Sequence, residues 1–180
     1  MRQSAIEFLL LLFFVQETAF AAEKPADQIP HMDETRTMVL GANLLRTSKG
    51  LPPLRIDPGL CRAADFHAHE MAQLNYFGHR GPQSMFASTP GSRAFRMGYS
   101  WARIAENICA GYSNASDAFN SFLFSKPHYQ NMIDPELLDI GIGVAKSETN
   151  RLYWVMLLGR QSNFWREGNA NPAPFRHTGP

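Results

Sequence analysis

The chain has 180 residues, 44% of them hydrophobic and 18% charged, which is enough for one well-formed core and too little for two. Its 17 Lys and Arg against 16 Asp and Glu leave no positive excess to displace counterions from phosphates, so a nucleic-acid partner is not expected. The apolar content excludes a disordered chain, and 13 Gly with 12 Pro, irregularly spaced, exclude a collagen-like repeat.

In chain order, Phe8 to Val15 is an unbroken apolar run behind a short start carrying Arg2, followed by Ala19-Phe20-Ala21-Ala22. This reads as a secretory signal peptide over residues 1–21; the run is far shorter than the roughly 20 apolar residues that a spanning helix needs, so no stable membrane anchor is expected. Residues 22–32, polar with two prolines, read as a leader. The domain is expected over 33–167, and residues 168–180, rich in Gly, Pro and Asn, as a flexible tail.

Asp33 to Thr47 predicts a first helix, with Met38, Leu40, Leu44 and Leu45 at near-helical intervals and Lys49-Gly50 at its end. Asp57 with Pro58 opens a second, whose inner face holds Leu60, Ala64, His67, Met71 and Leu74 and whose polar face holds Arg62, Asp65, His69 and Glu70. From Phe77 to Arg103, glycines and prolines predict a long ordered loop with one short helix near Ser92 to Met97. Ile104 to Ala110 reads as a strand, Ser116 as the cap of a helix bearing Ala118, Phe119, Phe122 and Leu123, and Ile140 to Ala145 with Leu152 to Leu158 as a hairpin. Helices and strands in that order predict an α+β fold with a small, mostly antiparallel sheet covered by helices. Apolar residues on both hairpin faces, such as Tyr153, Trp154, Val155 and Met156, predict cover on both sides.

Two cysteines, Cys61 and Cys109, cannot form a disulfide scaffold; one bridge and two separate buried thiols are both compatible with the sequence. Of the six histidines, His31 and His177 fall in the end segments. His67 and His69 point in different directions on a helix, so they do not form the HExxH zinc motif, and His67 reads as a packed helix residue. His79 and His128 lie in loops or at element ends, where sites are usually built. Glu106 interrupts an apolar stretch, and a buried carboxylate there requires a partner.

Asn43-x-x-Arg46, Gly50-Leu51-Pro52-Pro53-Leu54, Phe77-Gly78-His79, Glu106-Asn107-Ile108, Ser125-x-x-His128-x-x-Asn131, Gly141-Ile142-Gly143-Val144 and Tyr153-Trp154, in this order, resemble the CAP superfamily, also called the SCP-like extracellular domain, in its short bacterial form. The resemblance spans about Thr37 to Gly159 and implies a three-layer α-β-α sandwich, with a cleft of two histidines and two glutamates whose histidines can hold a divalent metal, often zinc. By motif position His79 and His128 resemble the two histidines and Glu106 one glutamate, with Ala105 where the family has glycine. The second glutamate has no match: Ser125 stands near its position, and Phe122 where a tryptophan is usual.

A catalytic zinc ordinarily has three protein ligands and an open water position, with a carboxylate nearby that can move a proton, so this set implies modest affinity for zinc or another divalent metal. The leading expectation is a secreted or periplasmic, non-enzymatic module binding an extracellular lipid, peptide or cell-wall component. A metal-dependent hydrolase of peptides or cell-wall polymers, with Glu106 as base, is the alternative. In a third reading the His and Glu side chains are only structural partners.

Overall fold

Local rules start each element, and burial then selects the faces that matter. The structure, a computed structural model, describes residues 31–82 and 88–162. Helix α1 runs over Met32–Ser48 and buries Thr35, Met38, Val39, Ala42 and Arg46. Leu40 and Leu44, read from spacing as core positions, are 62% and 64% exposed, because the helix is rotated to put the Arg46 side of its surface inward. Arg46 is fully buried and donates to the carbonyls of Pro52, Met132, Asp134 and Leu137 at 2.8–3.0 Å. Asn43 meanwhile exchanges two hydrogen bonds with the Leu54 backbone. These two side chains, three residues apart on α1, tie the helix to the start of strand β1 (Arg55–Ile56) and to the chain that leads into the last hairpin.

Helix α2 (Pro58–Leu74) starts where expected, with Asp57 accepting from the Leu60 amide and Pro58 in the first turn. Helix α3 (Pro90–Arg96) is opened by a capping box between Thr89 and Ser92, two residues earlier than the sequence suggests. Strand β2 covers Trp101–Ala110, and helix α4 Ala115–Leu123. The α4 cap is Asn114, which accepts from the Asp117 amide; Ser116 sits inside the helix. A short helix, α5 (Lys126–Met132), follows from Ser125 and Pro127 and lacks enough length for apolar periodicity to reveal it. Strands β3 (Asp139–Lys146) and β4 (Leu152–Gln161) complete the fold.

The sheet order is β1-β3-β4-β2, antiparallel except for the short β1–β3 pair. Its two faces carry separate cores. Tyr153, Val155 and Leu157 of β4 pack toward α2 and α3, whereas Trp154, Met156 and Leu158 pack with residues of α1, α4 and α5. Strand alternation thus divides one apolar run between two cores, giving the three-layer α-β-α sandwich.

Gly141 and Gly143 explain how closely α2 can lie. A Cβ on either would run into backbone atoms of Leu60 and Cys61, or of Ala64 and Asp65. Only hydrogen at these positions lets the helix backbone rest directly on β3. Cys61 lies on this side, and Cys109, which packs with the α1 and α4 residues, lies on the other, so both thiols are free and buried. Burial pushes each thiol up to about 11, which leaves them unreactive at neutral pH. No helix among the described residues is long and apolar enough to cross a membrane.

Candidate functional site

Strand β2 is an edge strand, and the site is built around it. Glu106 faces the α2 side, as do Ile104 and Ile108, while Asn107 faces the α5 side. The Glu106 side chain is only 2% exposed, and the partner that a buried carboxylate requires is Arg93 of α3, whose Nη2 donates to Oε2 at 2.6 Å. The other oxygen, Oε1, lies 2.9 Å from His79 Nδ1. The His79 ring is 54% exposed and lines an open groove of about 440 Å³ with Glu106, Ile104, Trp101, Gly91 and Thr89.

His67 stands behind this pair. It is a packed helix residue with no exposed surface, yet it also belongs to the polar network: Nε2 donates to the Gly78 carbonyl at 2.9 Å and lies 3.8 Å from Glu106 Oε1. Its Nδ1 is 3.4 Å from Glu70, and Tyr76 donates its hydroxyl proton to the same Glu70 oxygen at 2.6 Å. Burial lowers the His67 pKa, and the nearby Glu106 carboxylate opposes that shift without cancelling it. Burial and the hydrogen bond to Glu70 raise the Tyr76 phenol. Glu70 therefore belongs to the interior of α2 and not to its solvent face, because His67 and Tyr76 give it partners there.

On the other side of the edge strand, Asn107 Nδ2 donates to the His128 carbonyl at 3.0 Å, and Asn131 donates to Asn107 Oδ1 at 2.8 Å. These bonds fix α5, and with it the His128 ring, which meets Phe122 edge-on at 5.1 Å between centroids. His128 Nδ1 is buried with no hydrogen-bond partner. Burial lowers the His128 pKa, and His79 is near enough for its charge to lower it further. His79, Glu106 and His128 thus gather around one strand. Ser125 takes the N-cap position of α5 and lines a separate depression with Tyr112, Asn120, Ser121 and Phe124.

A neutral imidazole with an unpartnered, desolvated nitrogen suits a borderline divalent metal, and among the two histidines His128 is the one with such a nitrogen, while the exposed His79 ring is engaged by Glu106 through Nδ1. Among the described residues, however, no group of three His, Cys, Asp or Glu side chains is arranged to hold a metal. Two imidazoles alone fall short of the four protein ligands of a closed structural zinc site. A larger groove, about 600 Å³, lies at the opposite end of the hairpin between His31, Glu34, His69, Lys146 and Trp154. His31 there is exposed, with Nε2 3.3 Å from Asp65 Oδ1.

The sequence reading did not single out Glu70, Tyr76 or Arg93. Glu70 had a signal, since it follows His67 by three residues on one helix and can share its face. Arg93 had none, because a lone arginine in a short helix reads as solvent-exposed.

The family profile described as the cysteine-rich secretory protein family, CAP, matches residues 42–158. An uncharacterized Bacillus subtilis protein, YkwD, is 30% identical over 105 residues, covering 58% of this chain and 40% of its own length. An extracellular protein containing an SCP domain from Bacillus anthracis superposes with a TM-score of 0.66 at 25% identity, over 72% of this chain and 41% of that one. An outer surface protein of Borrelia burgdorferi shares the fold, with a TM-score of 0.64 at 22% identity over 72% of this chain and 94% of its own. The chain spans well under half the length of the two Bacillus proteins. The profile match covers every motif that builds the cleft, from Asn43 to Trp154, and on that ground the chain belongs to the CAP family of cysteine-rich secretory proteins.

Proposed function

We propose that this protein acts outside the cytoplasm as a non-enzymatic binding module, whose cleft takes an extracellular lipid, peptide or cell-wall component beside a weakly held divalent metal. His79 and His128 are the metal residues in this reading, and zinc is the metal that best suits two imidazoles. When bound, it would supply a Lewis-acidic contact for an oxygen of the ligand. Export is supported by the apolar N-terminal segment and by the extracellular Bacillus anthracis relative.

The observation that carries the non-enzymatic reading is the state of Glu106. One of its oxygens is held by Arg93 and the other by His79, so the carboxylate that a hydrolase would use as its base is already engaged. Calorimetric titration of zinc tests the site. Binding is expected in the parent, with a loss of more than about tenfold in a His79→Ala, His128→Ala double variant and a decline below about pH 6, where imidazoles protonate. Equal heats from parent and double variant would place the metal elsewhere.

A further inference from the structure

Strand β2 carries one residue more than β4 at its outer end: Trp101 pairs with Gln161 and Arg103 with Arg160, so Ala102 is extra. A bulge of this kind re-aims a side chain, and it brings Trp101 to the groove that Glu106 and Ile104 line, where unbroken alternation would place it on the other face. The indole edge formed by Nε1, Cε2 and Cζ2 lies against Gly91 in the first turn of α3: Nε1 donates to the Gly91 carbonyl at 2.8 Å, and a Cβ on Gly91 would collide with Cζ2 and Cε2. Trp101 is nevertheless 41% exposed. It is a common wall of two grooves, the His79 groove and a second of about 560 Å³ that runs past Phe95, Ser100 and Ser162. We propose that Trp101 is the stacking platform of a subsite for a neutral β-1,4-linked glycan strand, which crosses the indole between the two grooves. The inference rests on the binding-module reading and names its ligand class, and it requires no metal.

The chemistry of the lining selects the ligand. Because the Nε1 hydrogen is committed to Gly91, the indole offers only apolar ring surface, and the contacts with Gly91 hold the ring so that binding costs little rotamer freedom. Phe95, 63% exposed, adds a second ring to the second groove. None of the described residues lining that groove is charged, so an ionic ligand gains no partner there. Ser100 and Ser162 bring hydroxyls to the rings, whereas the hydroxyls of Thr89 and Ser92 are engaged with each other in the α3 cap. A ligand with apolar faces and a neutral, hydrogen-bonding rim matches this lining. A pyranose is such a molecule: its axial C–H bonds carry slight positive charge toward the negative face of an aromatic ring, and its equatorial hydroxyls point outward. β-1,4 linkage keeps successive sugars in a flat ribbon with C–H groups on both faces, which an open surface groove admits. An acyl chain would instead keep much of its surface in water and leave the serine hydroxyls without partners.

Calorimetric titration of the purified protein with hexamers of β-1,4-linked glucose and of β-1,4-linked N-acetylglucosamine, with chelator present, tests the subsite in the absence of metal. At least one hexamer is expected to bind. Trp101→Ala should weaken that binding by at least about tenfold, the scale of one lost stacking partner, and Trp101→Phe, which keeps an aromatic face, by less. In the parent, the Trp101 indole N–H resonance, assigned by its loss in Trp101→Phe, should shift as the hexamer is added, which decides the matter even if Trp101→Ala fails to fold. Heat from neither hexamer overturns the proposal, as does binding that leaves Trp101→Ala at parent affinity or the Trp101 resonance unmoved. Decanoate or a neutral octapeptide that moves this resonance where the hexamers do not overturns the glycan and keeps the binding-module reading. Hexamer binding to a protein that takes up no zinc supports the glycan and removes only the metal from that reading.

Discussion

Glu106 and Asn107 are consecutive residues of one edge strand, and they organise opposite faces of the sheet. Glu106 joins Arg93 and His79 on the α2–α3 side, while Asn107 holds the His128 carbonyl and Asn131 on the α5 side. Because successive strand side chains point in opposite directions, two adjacent residues fix two histidines that are 49 positions apart in the chain.

Asn107→Ala removes both bonds of that second arm. Asn107 has no exposed surface, so the His128 carbonyl and the Asn131 amide lose a buried partner together. A loss of about 1–3 kcal/mol in urea unfolding is expected, accompanied by weaker zinc binding. Unchanged stability would mean that α5 is held by packing alone.

Trp154→Ala should cost about 3–5 kcal/mol. The indole is 1% exposed within the core beneath α1 and α4, and its Nε1 donates to the Tyr112 carbonyl at 2.9 Å. Urea denaturation that matches the parent would contradict this burial.

Gly143→Ala and Gly78→Ala form a contrasting pair. The first drives a methyl group into the α2 backbone at Ala64 and Asp65, and a cost of about 3 kcal/mol is expected, at the upper end of overpacking. The second meets nothing within 4 Å, and a change within about 0.5 kcal/mol is expected. Equal melting temperatures for the two variants would show that α2 can move off the sheet at little cost.

Acid should destabilise the protein as His67 is forced to charge. Its folded pKa lies below the ordinary 6.5, so between the two values the unfolded chain binds more protons and stability rises with pH. The contribution is fully present above about pH 6.5 and is lost as pH falls through the folded pKa; His128, shifted the same way, adds to the slope. In His67→Gln the drop in urea midpoint from about pH 7.5 to about pH 5.5 should be smaller than in the parent. An identical drop would remove His67 from the account.

Purified protein with saturating zinc should show no robust peptidase or cell-wall hydrolase activity, since Glu106 is engaged on both oxygens and Ser125 cannot supply a second carboxylate. Turnover that is lost with chelator, restored by zinc and abolished in a folded Glu106→Gln variant would replace the binding-module reading with the hydrolase.

What the sequence determined by itself was whatever depends on neighbours in the chain. Asp57-Pro58 starts α2, apolar residues on both faces make β3 and β4 strands covered on both sides, and the ordered motifs from Asn43 to Trp154 identify the family. The tertiary structure decided what depends on which surfaces meet. Leu40 and Leu44 have helical spacing but face outward, because the buried Arg46 sets the rotation of α1 through carbonyls up to 91 residues away. Cys61 and Cys109 remain thiols because the sheet stands between them. Arg93 and Glu70 look like surface charges in the chain and become interior ones only when another element brings each a partner. A charge can be buried where its partner is, and that position is a property of the assembled fold.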